Sequence, residues 1–412
     1  MKSITKLFRV GPGPSSSHTI APSNCAKAFK RLLKETNGKI TVTLYGSLAF
    51  TGGGHKTQDA IIKVLDGYDV TFDLKPFEPT EHPLKMIFEY HSLDNTHSFK
   101  NTYYSLGGGE IASPDDIEVN EPNIYPFKDF NSIKAYMAEN DIKTVKELCL
   151  RFEKPSVDDD LMDILKDMFK SVEDGLERKG QIITNNNPRL QYSRCAGDIN
   201  KAAKHIKEQE AKREMLITSF AYAVAENSAA GCEVVTGPTC GSSGVLPSVL
   251  YYGYKYRGKT LEELRDSLYV AGMIGNIVKQ NASIAGSIGG CQAEIGTASS
   301  MAAAAIAFVD GNSLYQIEYA AECAMEHFLG LSCDPVDGFV VIPCIERNGM
   351  GALRAYNAFL YAKYIAPLRT NKVSFDDVVE AMKITGDSLS DKYKETAQGG
   401  LAEILKNKNT HC

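Results

Sequence analysis

The sequence predicts an α+β protein, with a small N-terminal α/β domain, residues 1–125, joined to a larger, mainly helical domain, residues 126–412. Three observations lead there. A chain of 412 residues exceeds one ordinary domain and can fill two sizeable cores. Strand-like alternation of apolar and polar residues is concentrated in the first segment. Beyond about residue 132 the spacing turns helical and stays so.

In chain order, residues 21–34 read as a helix. Ile40-Thr-Val-Thr-Leu-Tyr45 alternates as a half-buried strand does. Residues 58–65 suit a short helix and residues 68–74 a second strand. Residues 91–105 suit a hairpin turning at Asp94-Asn95, before the glycines at 107–109. The proline-containing stretch 113–127 reads as the linker. Helices are then expected over 145–152, 159–176, 212–226, 245–252, 260–280, 297–308, from Ser313 to Gly330, 352–365 and 375–388. Ser374 and Asp377 form a capping box for the last of these. Residues 188–198 read as a loop, and no internal repeat or low-complexity segment is visible.

Composition excludes several classes. A net charge of −6 and no basic stripe argue against nucleic-acid binding. No apolar run reaches membrane-spanning length, and residues 1–8 lack a signal-peptide core. A cytoplasmic location is therefore expected. The ten cysteines should be reduced there, as spare, buried or metal-binding thiols.

Three of those thiols stand beside Gly or close to Pro: Gly289-Gly290-Cys291, Ser332-Cys333-Asp334-Pro335 and Pro343-Cys344-Ile345. Such neighbours break regular structure and let backbone approach whatever the sulfur holds. The intervals of 42 and 11 residues match neither a zinc finger nor a ferredoxin run. Spacing alone thus leaves a three-thiol metal site and ordinary buried cysteines both open. Cys232, Cys240 and Cys323 suit plain packing.

Two loops carry hydroxyls and free backbone amides suited to a carboxylate or phosphate. One is Gly11-Pro-Gly-Pro-Ser15-Ser16-Ser17-His18-Thr, and the other is Thr236-Gly-Pro-Thr239-Cys-Gly-Ser242-Ser243-Gly. The bland reading of the first is a tight turn capping the next helix. His55 lies in a third, glycine-rich loop that begins at Gly46-Ser-Leu-Ala-Phe-Thr. A loop histidine is accessible and titrates near neutrality, though many such residues have no role. Lys279 and Arg347, beside the cysteine motifs, could pair with a carboxylate or an anionic cluster, or lie along the surface.

Asn281-Ala-Ser-Ile-Ala-Gly, Cys291-Gln-Ala-Glu-Ile-Gly, Met325-Glu-His-Phe-Leu-Gly-Leu-Ser-Cys333-Asp-Pro and Pro343-Cys344-Ile-Glu-Arg-Asn resemble the catalytic domain of iron–sulfur L-serine dehydratases. Gly13-Pro-Ser-Ser-Ser-His18-Thr and the His55 loop resemble that family's smaller domain. The matches run from Val10 onward and resemble the single-chain form. One departure is Cys240, where many relatives carry asparagine. The resemblance implies L-serine as substrate, pyruvate and ammonia as products, and a role in amino-acid catabolism and gluconeogenesis. It implies a 4Fe-4S cluster on Cys291, Cys333 and Cys344, with Cys412 folding back onto the open iron. His55 and His18 become catalytic candidates. Ser15, Ser16, Ser17, Thr239, Ser242, Lys279 and Arg347 become substrate-binding candidates, and His327 a residue supporting the cluster. A homodimer is also implied. Two rival readings remain at this point: a pyridoxal-phosphate lyase using Lys279, and a non-enzymatic iron–sulfur amino-acid sensor.

Overall fold

The computed structural model describes residues 1–182 and 191–407, apart from the side chain of Asn407. The smaller domain is built on a five-stranded mixed sheet. The chain enters through β1 (Val10–Pro12), a π-helical turn Ser16–Ile20 and helix α1 (Ala21–Leu32). It continues through β2 (Lys39–Tyr45), α2 (Gly46–Thr51), α3 (Thr57–Val64), β3 (Asp69–Lys75), β4 (Lys85–His91), β5 (Ser98–Gly107) and β6 (Glu110–Ala112). Strand order is β3-β2-β4-β5-β6, with β2 and β3 parallel and the other pairs antiparallel. Ile40, Val42 and Leu44 of β2 and Met86 and Phe88 of β4 point inward, as period-two patterning requires. They pack against Cys25, Ala26 and Phe29 of α1.

The larger domain contains α4 (Phe130–Glu139), α5 (Val145–Cys149), α6 (Val157–Glu177), α7 (Ala196–His205), α8 (Gln209–Ala229), α9 (Val245–Tyr256), α10 (Leu261–Asn281), α11 (Gly286–Gly289), α12 (Thr297–Val309), α13 (Leu314–Glu326), α14 (Cys344–Tyr364), α15 (Phe375–Ser388) and α16 (Gly400–Asn407). Short pairs β7 (Gln181–Ile182) with β8 (Tyr192–Ser193), and β1 with β9 (Glu233–Val235), complete it. Helix α12 lies at the centre, buried from Thr297 to Ala307. Its run of alanines presents small side chains on all faces, so α9, α10, α13 and α14 can all approach it. No helix among the described residues is long and apolar enough to cross a membrane.

The domains interlock at the start of the chain. Met1, Ile4, Leu7 and Phe8 sit in the helical core with Tyr125 and Phe127. The Met1 ammonium donates to Tyr125 O at 2.8 Å.

Several expected elements changed shape. The hairpin turns where expected, but its first strand, β4, lies mostly before residue 91. The first part of the His55 loop is helical, as α2. Helix α7 begins inside the expected loop 188–198, whose residues 188–190 lie outside the described residues. Helix α14 begins at Cys344, eight positions before the expected start at 352. Two glycines in its first turns, Gly349 and Gly351, serve tertiary packing. A Cβ on Gly349 would stand 2.8 Å from the Tyr222 ring, and one on Gly351 3.0 Å from Ile295. The capping box at Ser374 and Asp377 is present.

Candidate active site

Cys291 follows α11 and Gly290, whose φ of 76° suits only a residue without a Cβ. A side chain there would also stand 2.7 Å from Leu331 O. Cys333 is held on both sides by the segment after α15. Its N–H donates to Tyr393 O at 2.8 Å, and its carbonyl accepts from Glu395 N–H at 2.8 Å. Cys344 is the first residue of α14, after Pro343. The three cysteines line one cavity. The sulfurs of Cys291 and Cys333 and a Glu294 carboxylate oxygen lie within 4.8 Å of one another.

Arg347, one turn into α14, reaches over the thiols. It donates to Ser332 O at 2.8 Å and to Asp334 Oδ1 at 3.1 Å. Cys291 and Cys333 share a hydrogen bond that holds the Cys291 thiol below its ordinary range, with help from Arg347. The same bond, together with burial, pushes Cys333 up, and burial pushes Cys344 up. Carrying two or three thiolates here thus calls for more positive charge than Arg347 supplies.

The sheet domain contributes the opposite wall. Ser15 caps the Ser16–Ile20 turn, its Oγ accepting from His18 N–H at 3.2 Å. His18 Nε2 lies 2.9 Å from Ser47 Oγ, and that hydroxyl donates its one hydrogen to Glu395 O at 2.8 Å. His18 therefore carries its proton on Nε2, while Nδ1 accepts from Ser17 Oγ at 2.8 Å. The same logic fixes His55. Thr51 Oγ1 donates to Ser47 O at 2.9 Å and lies 2.9 Å from His55 Nδ1, so Nδ1 must be the donor. His55 Nε2 is left as a bare acceptor, buried and without a partner. Burial brings the His55 pKa down to about 3 and that of His18 well below its ordinary value, so both rings are neutral.

Glu395 joins the two walls. One of its carboxylate oxygens stands 3.7 Å from His18 Nδ1 and 3.8 Å from His55 Nε2. The other, Oε2, is buried with no hydrogen-bond partner. Burial, with Glu294 and Cys291 nearby, pushes the Glu395 carboxyl well above its ordinary pKa, against a backbone N–H of Ser287 that favours the anion.

The cavity thus brings together Cys291, Cys333, Cys344, Arg347, His55 and Ser15, with Ser17 and His18 directly behind Ser15. Thr239 hydrogen-bonds the Glu294 carboxyl and lies 3.0 Å from Ser242, which turns back to Gly237 O. Ser16 is buried in its own turn. Lys279 is elsewhere. Its ammonium pairs with the buried carboxylate of Glu110, which also binds Lys2, and it lines a separate cavity between β6 and α10. His327 is exposed and bonds Cys323 O of its own helix. Cys240 and Cys323 are buried, and Cys232 is bonded to Arg178. Cys412 lies outside the described residues.

Four residues at or beside the cavity escaped sequence reasoning: Glu294, Glu395, Ser47 and Thr51. Glu294, Ser47 and Thr51 had a signal, since all three lie inside quoted motifs. Glu395 had none, in a polar stretch that reads as the approach to a tail.

Fold and cavity define a two-domain protein whose buried imidazoles, carboxyls and thiols meet at the domain junction. Residues 128–402 match the family described as serine dehydratase alpha chain, and residues 3–75 match the serine dehydratase beta chain. The L-serine dehydratase of Haemophilus influenzae is 37% identical, over 98% of this chain and 99% of that protein. That of Streptomyces coelicolor is 36% identical, over 97% and 98%. L-serine dehydratase TdcG of Escherichia coli is 37% identical, over 98% and 99%. The chain belongs to the serine dehydratase family, with both parts in one polypeptide.

Proposed function

We propose that the protein is an L-serine ammonia-lyase that converts L-serine to pyruvate and ammonia. The observation that carries this reading is His55 Nε2, an unpartnered acceptor lone pair at the cavity lined by three thiols. Serine has a weakly acidic α-hydrogen and a poor leaving group, so its dehydration needs a base on one side and an electrophile on the other.

A 4Fe-4S cluster on Cys291, Cys333 and Cys344 fits the donor set: three soft thiols share one enclosed site under a guanidinium, and burial penalises their ionisation in the absence of metal. When bound, such a cluster supplies a Lewis-acidic iron that favours departure of the substrate hydroxyl. The chain's own groups do the rest. The Ser15 hydroxyl, the part of the Ser15 to His18 turn that lines the cavity, holds the substrate carboxylate. His55 Nε2 takes the α-proton, and Thr51 fixes the ring so that this nitrogen stays free. The enclosing walls keep water from the reacting carbons. The aminoacrylate product then tautomerises and hydrolyses to pyruvate and ammonia.

The pyridoxal alternative loses its lysine, because Lys279 is committed to Glu110 away from this cavity. A sensor would not need residues of both domains to meet around an unpartnered base. The family resemblance also supports a cytoplasmic location and a homodimer. The test is anaerobic purification, counting of iron and sulfide, and a pyruvate assay with L-serine. About four irons and four sulfides per chain, with pyruvate formed, are expected; a metal-replete protein that forms no pyruvate overturns the reading.

A further inference from the structure

An amino acid presents four groups on one carbon. The proposed function accounts for three of them: the carboxylate, the α-hydrogen and the hydroxymethyl arm. The α-ammonium has no assigned partner. Because all four groups radiate from one atom, its receptor must lie within a few ångströms of the other three.

We infer that Glu395 receives the α-ammonium of the substrate and so selects a 2-amino acid over its uncharged analogues. This inference rests on the serine dehydratase reading of the site. Two carboxyl groups line the cavity among the described residues, Glu294 and Glu395. Glu294 is bonded by Thr239 and stands among the sulfurs. Glu395 stands instead against the imidazoles, 3.8 Å from the nitrogen assigned to the α-hydrogen and 3.7 Å from the histidine behind the carboxylate loop. Arg347 and the two histidine N–H groups can only donate, so they cannot bind an ammonium.

Glu395 is also built for a guest. It is 4% exposed, and its Oε2 has no partner. A buried acceptor left open costs stability unless a ligand completes it. Its backbone is held by two long-range bonds, Glu395 N–H on Cys333 O and Ser47 Oγ on Glu395 O, and Cys333 N–H also holds Tyr393 O two residues before. These pin the residue at φ 60°, an uncommon conformation for glutamate. Both domains thus fix this one carboxyl at the cavity wall. An ammonium supplies hydrogen-bond donors and a positive charge together, which suits it well.

The experiment compares L-serine with L-glycerate, which carries a hydroxyl where serine has its ammonium. Wild-type enzyme should bind L-glycerate, measured as a competitive inhibitor, far more weakly than serine. Glu395→Gln keeps the side-chain shape and removes the ability to become the carboxylate that pairs with an ammonium. It should raise KM for L-serine by about 10- to 100-fold. It should leave Ki for L-glycerate within about 3-fold of wild type, and lower kcat by less than KM rises. Equal weakening of both ligands would show a general loss of site structure and overturn the inference, as would an unchanged KM for serine. If the Gln variant does not fold, Glu395→Asp carries the test: the ratio of Ki to KM must then fall, and an unchanged ratio overturns the inference. Iron content and melting temperature monitor integrity throughout. Wild-type protein that forms no pyruvate would sink the lyase reading itself, a result distinct from any behaviour of Glu395 variants.

Discussion

Two buried polar nodes lie where the domains meet, and they differ in one respect. Around Glu110, each formal charge has a partner: the carboxylate is 2% exposed and binds both Lys2 and Lys279. Burial works against ionisation of Glu110, yet the two lysines hold its pKa below the ordinary 4.5. Around Glu395, polar atoms are left over: its Oε2 and His55 Nε2 are buried without partners, and three thiols share one cavity. The first node fastens β6 to α10 and the N-terminus. The second keeps binding capacity in reserve. Burial of charge alone therefore does not mark a site here; unpartnered groups from both domains converging on one cavity do.

Substitutions can test that contrast. The largest effect is expected at the thiols. Cys291→Ser, Cys333→Ser and Cys344→Ser should each abolish or badly destabilise the cluster, because an alkoxide is a harder and more basic ligand. Iron, sulfide and turnover should fall together; three single variants that keep all of them would reduce the thiols to core packing.

A smaller loss is expected at the base. His55→Ala should leave the cluster's visible spectrum intact while cutting kcat by about 10²–10⁴-fold. Turnover like wild type would remove His55 from the chemistry. His18→Ala, by contrast, should chiefly raise KM, since His18 lies behind the carboxylate loop with both ring nitrogens engaged.

The smallest catalytic effect belongs to the satisfied node. Glu110→Gln strands two lysines that can partly reach solvent, so a stability loss of about 1–3 kcal/mol is expected near neutral pH. The folded pKa of Glu110 lies below the unfolded one. Its contribution is therefore present above about pH 4.5 and is lost as pH falls through the folded value. Denaturant melts of both proteins should converge in acid, and kcat per folded molecule should stay near wild type. If Glu110→Gln instead lost turnover with stability unchanged, the division between fastening and reactive nodes would fail.

Much of this molecule could be read along the chain. The alternation of Ile40, Val42 and Leu44 is a local property, as are the helical period of residues 297–308 and the capping box at Ser374, and each produced the expected element. The cysteine and serine motifs likewise named three thiols and one hydroxyl, that of Ser15, which line a common cavity. Where the reading failed, packing had overruled local preference. Gly349 and Gly351 look like helix breakers, but α14 tolerates them because Tyr222 and Ile295 need the space of their missing side chains. Lys279 stands near a cysteine motif in sequence, yet α10 turns it toward Glu110.

Local patterning thus specified the two kinds of domain and several of the residues that line the cavity. It could not specify which nitrogen of His55 stays free, because that depends on Thr51 already donating to Ser47 O. Nor could it single out Glu395. That residue matters because Cys333, far earlier in the chain, holds its backbone against the histidine wall. Hydrophobic period and turn chemistry act over a few residues, whereas convergence of groups from α2, the Cys333 segment and the stretch before α16 is set by how whole elements pack.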